Sequence, residues 1–524
     1  MTDGGALAPA RRPGETAEAA APPHLRAKWL LRTRRLGLHT QREPVVVVRA
    51  DCPVCRSEGL APRAQVLLRT DGREVTAILF HEHGGSLKPG EIGLSDAAWS
   101  LLKSTEGELV EISHAPTLES LSAVRRRIYG QPLDQPAMDA IVADIVAGRY
   151  SDVHLAAFLT AGSALPLSDD ETIALTGAMA RTGEKLRWDS PRVVDKHCIG
   201  GLPGNRTTPI MVAIAAACGL VIPKTSSRAI TSAAGTADAM ATVTKVDLDI
   251  AAMRRVVEAE GGCLAWGGAV NLSPADDIFI GVERQLEIDT EGQLIASVLS
   301  KKIAAGATHL ILDIPVGPTA KVRSPKAADR LAERLVDIAA RFGIEAVCLQ
   351  TDGSQPVGRA IGPALEMMDV LAVLRREDDA PRDLRERALL LAGALLELGG
   401  AAPAGGGAAL AERTLQSGAA WDKFHAICRA QGGFHEPARA RRRNVVTASR
   451  AGIVHEIDNR RIGRLAKLAG APDFPAAGLR LHVRVGDEVV AGQPLFTLYA
   501  GTEAELSYPL GYAAANPDIV RVEG

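Results

Sequence analysis

Residues 193–208, VVDKHCIGGLPGNRTT, set Lys196, His197, Cys198, three glycines and the pair Thr207-Thr208 between an apolar run and an apolar segment. Val193-Val194 reads as the end of a strand, and residues 209–220 read as a helix. Glycines in such a turn let a ligand come close to the backbone. Backbone N–H groups at a helix start, with an ammonium beside them, favour an anion. The turn is not a Walker A loop, because Gly204 is followed by Asn205-Arg206, and it lacks the Gly-x-Gly-x-x-Gly spacing of dinucleotide sites. Taken alone, it could also be a turn that only packs a helix on a strand. A second stretch, Ile222–Met240 (IPKTSSRAITSAAGTADAM), carries two basic residues and a dense set of hydroxyls directly after the next strand pattern. Two consecutive polar turns on a parallel sheet open at the same edge, where such sheets bind ligands. Together they point to an anion held across both turns.

The elements that position these turns follow from periodicity. From Val193 to Lys321 apolar strands (GLVIPKTSS, ATHLILDIPVG) alternate with helical patterns, which predicts a mostly parallel sheet. Upstream, residues 138–162 show helical spacing, and Ser168 with Glu171 forms a capping-box pattern. Residues 324–399 read as helical apart from the buried-strand run IEAVCLQ, and the glycines between Gly399 and Gly407 read as a flexible connection. Before residue 116 the chain changes character. EPVVVVRA, a hairpin around Asp71-Gly72 and GELVEISHA read as short strands of a small β-barrel, with LSDAAWSLLKS as its one helix. The expected organisation is a disordered leader (1–34) and a β-rich domain (35–115). A helical domain (116–186 and 275–305), an α/β domain (187–274 and 306–440) and an α+β lobe (441–524) follow.

Composition narrows the function. At 524 residues the chain exceeds one typical core. Sixty basic residues are balanced by sixty-two acidic ones, which gives no footprint for nucleic acid or a membrane surface. The first residues lack the apolar h-region of a signal peptide, and seven cysteines, an odd number, fit a reducing cytoplasm. Cys52 and Cys55 stand at metal-ligand spacing, and His81 and His83 fall on one face of a strand pattern. They are weak candidates for a structural zinc site; no metal is expected in the anion site.

The ordered motifs KHCIGG, Thr207-Thr208, SSRAITSAAGT, NLSPADD, SVLSKKIAAGATHLILDIPVG, DNRRIGRLAKLAGAP and GDEVVAGQPLFTL resemble the pyrimidine-nucleoside phosphorylases and the related AMP phosphorylases. The resemblance runs from Pro116 to the end. It implies a nucleoside phosphorylase/phosphoribosyltransferase-like fold: α/β with a separate helical domain, here with an N-terminal β-barrel and a C-terminal α+β lobe. The implied reaction is attack of inorganic phosphate, as co-substrate and without a cofactor, on C1′ of a ribose as the base departs. Lys196, Cys198, Thr208, Ser226 and Thr236 fall at phosphate-contacting positions, with His197 beside them, and Ser297 and Lys301 at base-contacting ones. Several departures from the nucleoside enzymes stand out. Cys198 replaces a serine, Pro203 is inserted, Val282 stands at an arginine position with Arg284 two residues on, Ser232 stands at a histidine, and WGGAVN replaces a glutamine segment.

These departures resemble the AMP phosphorylase subgroup. That likeness implies nucleotide contacts from Gly201, Ser227, Arg228, Ala229, Ile230, Thr231, Ser232, Thr236, Ser297 and Lys321, with Asp289 as proton donor. Arg228 and the extra hydroxyls have the chemistry to hold a 5′-phosphate. The expected enzyme is a cytoplasmic homodimer or larger homo-oligomer. It would cleave a nucleoside 5′-monophosphate to free base and ribose 1,5-bisphosphate. The alternatives are a thymidine or pyrimidine-nucleoside phosphorylase, a magnesium-dependent phosphoribosyltransferase, and a non-catalytic nucleotide sensor.

Overall fold

The computed structural model describes residues 30–229, 232–288 and 290–524. Most of the expected leader, together with Ile230, Thr231 and Asp289, therefore lies outside the described residues. The chain divides into two compact units, Met1–Glu119 with Ala147–Ser151, and Ser120–Val146 with Asp152–Gly524.

The first unit is a closed barrel. Its elements are β1 (Leu30–Arg35), β2 (Val45–Arg49), α1 (Pro53–Glu58), β3 (Gln65–Thr70), β4 (Arg73–Glu82), β5 (Glu91–Leu94), α2 (Asp96–Leu102) and β6 (Leu109–His114), with strand order β1-β5-β2-β4-β3-β6. Alternate residues point inward, so Val46, Val48, Val66, Leu68, Leu79, Ile92, Leu94, Val110 and Ile112 form its core. The β3–β4 hairpin turns at Asp71-Gly72 as expected, with register from Gln65↔Ile78 to Thr70↔Arg73. Two expectations are corrected. β1 starts at Leu30, inside the stretch read as leader, because Leu31 is buried in the barrel. The barrel also carries a second helix, α1, which starts on Pro53 and stops at Gly59 in the left-handed region. Cysteine spacing drew attention away from those helix signals.

The second unit begins with α3 (Ser120–Ile128), α4 (Gln135–Val146), α5 (Asp152–Ala164) and α6 (Asp169–Thr182). Ser168 and Glu171 make the predicted capping box on α6. The α/β part follows as β7 (Val194–Cys198), α7 (Thr207–Ala217), β8 (Ile222–Ser226), α8 (Thr236–Ala241), α9 (Ile250–Glu260) and β9 (Gly262–Trp266). Next come α10 (Pro274–Leu286) and α11 (Glu291–Ala304), which pack on α5 and α6. β10 (His309–Val316), α12 (Pro325–Arg341), β11 (Glu345–Asp352), β12 (Ala360–Ile361), α13 (Pro363–Arg375), α14 (Arg382–Leu398), α15 (Gly407–Gln416) and α16 (Ala419–Ala430) complete it.

β7, β10 and β11 are parallel, as are β8 and β9, and a parallel bridge Val193↔Val221 joins the two sets in the order β9-β8-β7-β10-β11. Helices α7, α14 and α16 cover one face, while α11 and α12 cover the other around β10. The chain leaves β7 toward β8 on one side and returns to β10 on the other. The β7–α7 turn therefore sits at the point where strand order reverses, the ligand crevice of such sheets.

The glycines of 399–407 are not a flexible connection. Ala401 N–H donates to Leu396 O, and a Cβ on Gly407 would stand 2.0 Å from Gly393 O. Here glycine allows two helices to touch rather than move. The C-terminal lobe holds β13 (Arg442–Thr447), β14 (Gly452–Ile457), α17 (Asn459–Leu468), β15 (Gly478–Leu481), β16 (Glu488–Val489), β17 (Pro494–Ala500), α18 (Glu503–Ala515) and β18 (Val520–Glu523). Its sheets are β12-β15-β17-β13 and β16-β14-β18.

Candidate active site

The alternation of β7 sorts its side chains onto two faces. On one face Lys196, fully buried, donates from Nζ to Thr207 Oγ1 at 2.9 Å and to Thr208 Oγ1 at 3.5 Å, at the start of α7. It also lies 3.8 Å from Asp313 Oδ2 on β10. Asn205 donates to Asp313 Oδ2 at 3.0 Å and to Cys198 Sγ at 3.3 Å, and Thr351 donates to Asp313 Oδ1 at 2.6 Å. Burial, with Asp313 beside it, pushes the Cys198 thiol up to about 12. The thiol thus stays neutral and adds no negative charge.

On the other face Asp195 meets two buried ammonium groups, Lys224 at 3.2 Å and Lys302 of α11 at 2.7 Å. Burial works against ionisation of Asp195, but the two lysines outweigh it and hold the carboxyl below its usual range. Burial lowers Lys302 to about 7, only partly offset by Asp195. His197 shares this face. Its own burial, then Lys302, Lys224, Lys301 and Lys196, push it well below the ordinary imidazole value, so it is uncharged at neutral pH.

The second turn closes on the first through Arg206. Its guanidinium donates to Thr236 Oγ1 at 2.9 Å and to Ala234 O at 3.0 Å, and pairs with buried Glu366. α7 starts at Thr207 with no side chain capping its N-terminus, which leaves first-turn N–H groups to be satisfied. Ser226, at the end of β8, has a buried Oγ with no hydrogen-bond partner. Buried hydroxyls are nearly always hydrogen-bonded in folded proteins, so the Ser226 Oγ has an acceptor or donor still to find, from ordered water or a ligand.

Gly201 has φ +78, and a Cβ there would stand 2.6 Å from Lys321 N, so this turn needs glycine to reach the Lys321 backbone. Arg228 lies with its guanidinium 4.8 Å from the Trp266 ring centroid and pairs with Asp238 and Asp247. Trp266 is the register partner of Ser226. Asp238 also accepts from the Ala229 and Gly235 N–H groups, which ties those two positions to the first turn of α8. On α11, Lys301 donates to Asp276 at 2.6 Å and to Ser297 at 3.3 Å. Its charge is one of those that lower the His197 value.

The sequence-predicted set is therefore largely gathered: Lys196, Cys198, Thr208, Ser226 and Thr236 line the two turns, with Gly201 and Lys321 in contact. Asp289, Ile230 and Thr231 lie outside the described residues. Sequence reasoning missed Arg206, Asn205, Asp195, Asp313, Glu366 and Lys302, and counted Lys224 only as a basic residue of the second turn. The available signal was charge inside apolar strands (VVDK, VIPK, LILDIPV), since a buried charge requires a partner. The cysteine–histidine candidates are not assembled. Cys52 and Cys55 lie in the barrel core as hydrogen-bonded thiols, and among the described residues no group of three or more His, Cys, Asp or Glu side chains is placed to hold a metal.

Comparison with known proteins agrees with this architecture. The glycosyl transferase family a/b domain matches residues 190–421, its helical bundle domain matches 121–183, and the pyrimidine nucleoside phosphorylase C-terminal domain matches 453–516. A relative from Chelativorans sp. (strain BNC1), named "Putative thymidine phosphorylase", is 63% identical over 494 residues, covering 94% of this chain and 97% of its own. One of the same name from Parvibaculum lavamentivorans is 60% identical over 493 residues, covering 94% and 98%. Among solved structures, anthranilate phosphoribosyltransferase from Thermus thermophilus aligns over 59% of this chain and 99% of its own, at 23% identity and TM-score 0.48. Among the described residues no helix is long and apolar enough to cross a membrane. With three domain matches in chain order and relatives at this identity along nearly its whole length, the chain belongs to the thymidine/pyrimidine-nucleoside phosphorylase family of pentosyltransferases.

Proposed function

We propose that this enzyme binds orthophosphate between the β7–α7 and β8–α8 turns and uses it to cleave the N-glycosidic bond of a nucleoside 5′-monophosphate. A phosphate oxygen forms a bond to C1′ as the C1′–N bond breaks. The electron pair leaves with the base, which takes a proton from an acid, and the products are free base and ribose 1,5-bisphosphate. The reaction as written needs no cofactor. The observation that carries the reading is the unpaired buried Ser226 hydroxyl at the end of β8, taken together with buried Lys196 and the uncapped start of α7 at the other turn. These groups are donors only, or have donor capacity left over, which suits an anion. Fixing the nucleophile there would supply part of the roughly 7–11 kcal/mol that positioning offers at best. Asp289 is proposed as the acid that protonates the leaving base. His197, uncharged among four lysines, contributes a hydrogen bond rather than a charge. Ser297 and Lys301 are proposed to face the base.

The 5′-monophosphate is favoured by Arg228, stacked on Trp266 at the end of the strand next to Ser226 and partly exposed, within a hydroxyl-rich loop. A pyrimidine nucleoside as substrate is the second reading, favoured by the names of the relatives. Base release from AMP, CMP, thymidine and uridine, measured side by side with and without orthophosphate, separates them. Phosphate-dependent release from a nucleotide, undiminished by a chelator, supports the proposal. Turnover of thymidine or uridine alone moves the assignment to the nucleoside enzymes. Tight nucleotide binding without base release at saturating phosphate makes the protein a sensor.

A further inference from the structure

The two turns are bridged by a side chain to which neither the sequence motifs nor the family comparison assigns a role. Arg206 is buried at the start of α7 and spends its guanidinium on three acceptors: Glu366, Ala234 O at 3.0 Å and Thr236 Oγ1 at 2.9 Å. Glu366 in turn accepts from Gly362 N–H at 3.0 Å, so the fork is anchored to α13 and the end of β12. A guanidinium can only donate, whereas a threonine hydroxyl has a single proton to give. Where Arg206 donates to Thr236 Oγ1, the oxygen is the acceptor and the hydroxyl proton must go elsewhere. Lys196 treats Thr207 and Thr208 in the same way, since an ammonium also only donates. Thr207 passes its proton to Asn205 Oδ1 at 3.4 Å. Among the described residues no acceptor takes the proton of Thr208 or of Thr236, and Ser226 Oγ has no partner at all.

We propose that Arg206 is a positioning residue that turns Thr236 into a committed hydrogen-bond donor, so that Thr236, Thr208 and Ser226 present their hydroxyl protons to one bound orthophosphate. Arg206 acts through Thr236 and does not itself touch the anion. The inference rests on the phosphate-binding reading above and adds a specific dependence: the contribution of Arg206 to phosphate affinity exists only while the Thr236 hydroxyl does. It also accounts for why an arginine is buried at this place. The separate nitrogens of a planar fork reach Glu366, Thr236 and the Ala234 carbonyl in fixed directions, Nε, Nη1 and Nη2 each taking one, which the single nitrogen of an ammonium does not match.

The test is orthophosphate binding by calorimetry on the full-length protein, run as a double-mutant cycle. One arm is Arg206→Met with Glu366→Gln, which leaves no buried charge unpaired, and the other is Thr236→Val. Each arm is expected to raise the phosphate Kd about tenfold, as for loss of one hydrogen bond to a charged group. Their combination should raise it no further than the larger arm, with the KM for the nucleoside 5′-monophosphate unchanged throughout. Should the Met/Gln arm fail to fold, Arg206→Lys keeps the charge opposite Glu366 and is expected to lose phosphate affinity with the same dependence on Thr236. Multiplicative losses in the combined variant, or an Arg206 variant that binds orthophosphate as tightly as the wild type, overturn the role of Arg206 and leave the phosphate site standing. Absence of orthophosphate binding by the wild type overturns the site and this inference with it.

Discussion

Replacing Lys196 by methionine separates what this lysine does for the fold from what it does for the ligand. The side chain is almost completely inaccessible and lies 3.8 Å from Asp313, whose carboxylate is also buried. Removing one partner of a buried ion pair costs about 3–5 kcal/mol, because the other charge stays behind in a dry site. Asp313 keeps hydrogen bonds from Asn205 and Thr351, so the expected loss lies at or just below the low end, about 2–3 kcal/mol. On the ligand side, one charged hydrogen bond to phosphate is lost, worth about 1.5–3 kcal/mol, or roughly 10- to 150-fold in phosphate KM. The second variant, Lys196→Met with Asp313→Asn, removes both charges, and Asn205 has an amide that can reverse to match. It should regain at least half of the lost stability in urea unfolding, while the phosphate KM stays as high as in the single variant. Both are read from the same preparations, unfolding by fluorescence and KM from initial rates at varied phosphate. If phosphate KM returns to the wild-type value along with stability, Lys196 is a packing residue and the assignment of the anion to the β7–α7 turn is wrong.

Further expectations concern the turn, the substrate loop and the core. Gly201→Ala places a methyl 2.6 Å from the Lys321 backbone nitrogen at φ +78, so it should raise phosphate KM at least tenfold and lower Tm by several degrees; a variant with unchanged Tm and KM would show that the turn is not fixed there. Arg228→Ala should reduce kcat/KM for a nucleoside 5′-monophosphate by about 10- to 100-fold with little change for the nucleoside, as for loss of a charged contact to the 5′-phosphate. An equal fall for both substrates would remove Arg228 from that role. Burial holds Asp369 up at about 6 against 3.8 for a free carboxyl, so the folded state binds the extra proton between those values. Stability therefore falls as pH rises through this window, by up to about 3 kcal/mol from this group. Asp369→Asn should flatten that part of the stability–pH curve in denaturant titrations at pH 4 and pH 7, and an unchanged slope would contradict it.

The sequence was informative where a signal is local. The hairpin at Asp71-Gly72 and the Ser168–Glu171 capping box each depend on residues within a few positions of one another. The strand read as ending at Val193-Val194 instead runs from Val194 to Cys198, so Lys196, His197 and Cys198 lie on it rather than in the turn. The buried partners of Asp195 and Lys196 let charged residues continue the strand. Signals with two meanings misled. Cys52-Pro53-Val54-Cys55 suggested metal ligands and concealed α1, while the glycines from 399 to 407 suggested mobility although they serve a close helix contact. The missing members of the site are non-local. Arg206 reaches Glu366 across 160 residues and Lys302 reaches Asp195 across 107, distances over which no periodicity carries information. What sequence could have offered is a rule of cost: Asp195, Lys224 and Asp313 interrupt apolar strands, and a strand interior tolerates a charge only with a partner.

The same rule links the fold to the chemistry. Because successive residues of β7 face opposite sides, one short strand serves two environments. Lys196 and Cys198 turn toward α7 and the β8–α8 turn, where unspent hydroxyl protons collect. Asp195 turns toward Lys302 on α11, the helix that also carries Ser297 and Lys301, and His197 falls on the same side. In the proposed reaction the first face holds the nucleophile, and the second ties β7 to the helix whose Ser297 and Lys301 are proposed to face the base. Charge is distributed accordingly. Two lysines share Asp195, and Lys196 shares Asp313 with neutral donors, so each side keeps positive character. A cysteine in place of a hydroxyl residue at 198 is compatible with this arrangement because an ordinary thiol is already protonated at neutral pH, and burial with Asp313 beside it pushes this one further up, to about 12. An ionised sulfur there would repel the proposed phosphate, so the substitution weakens a hydrogen-bond donor without adding a charge.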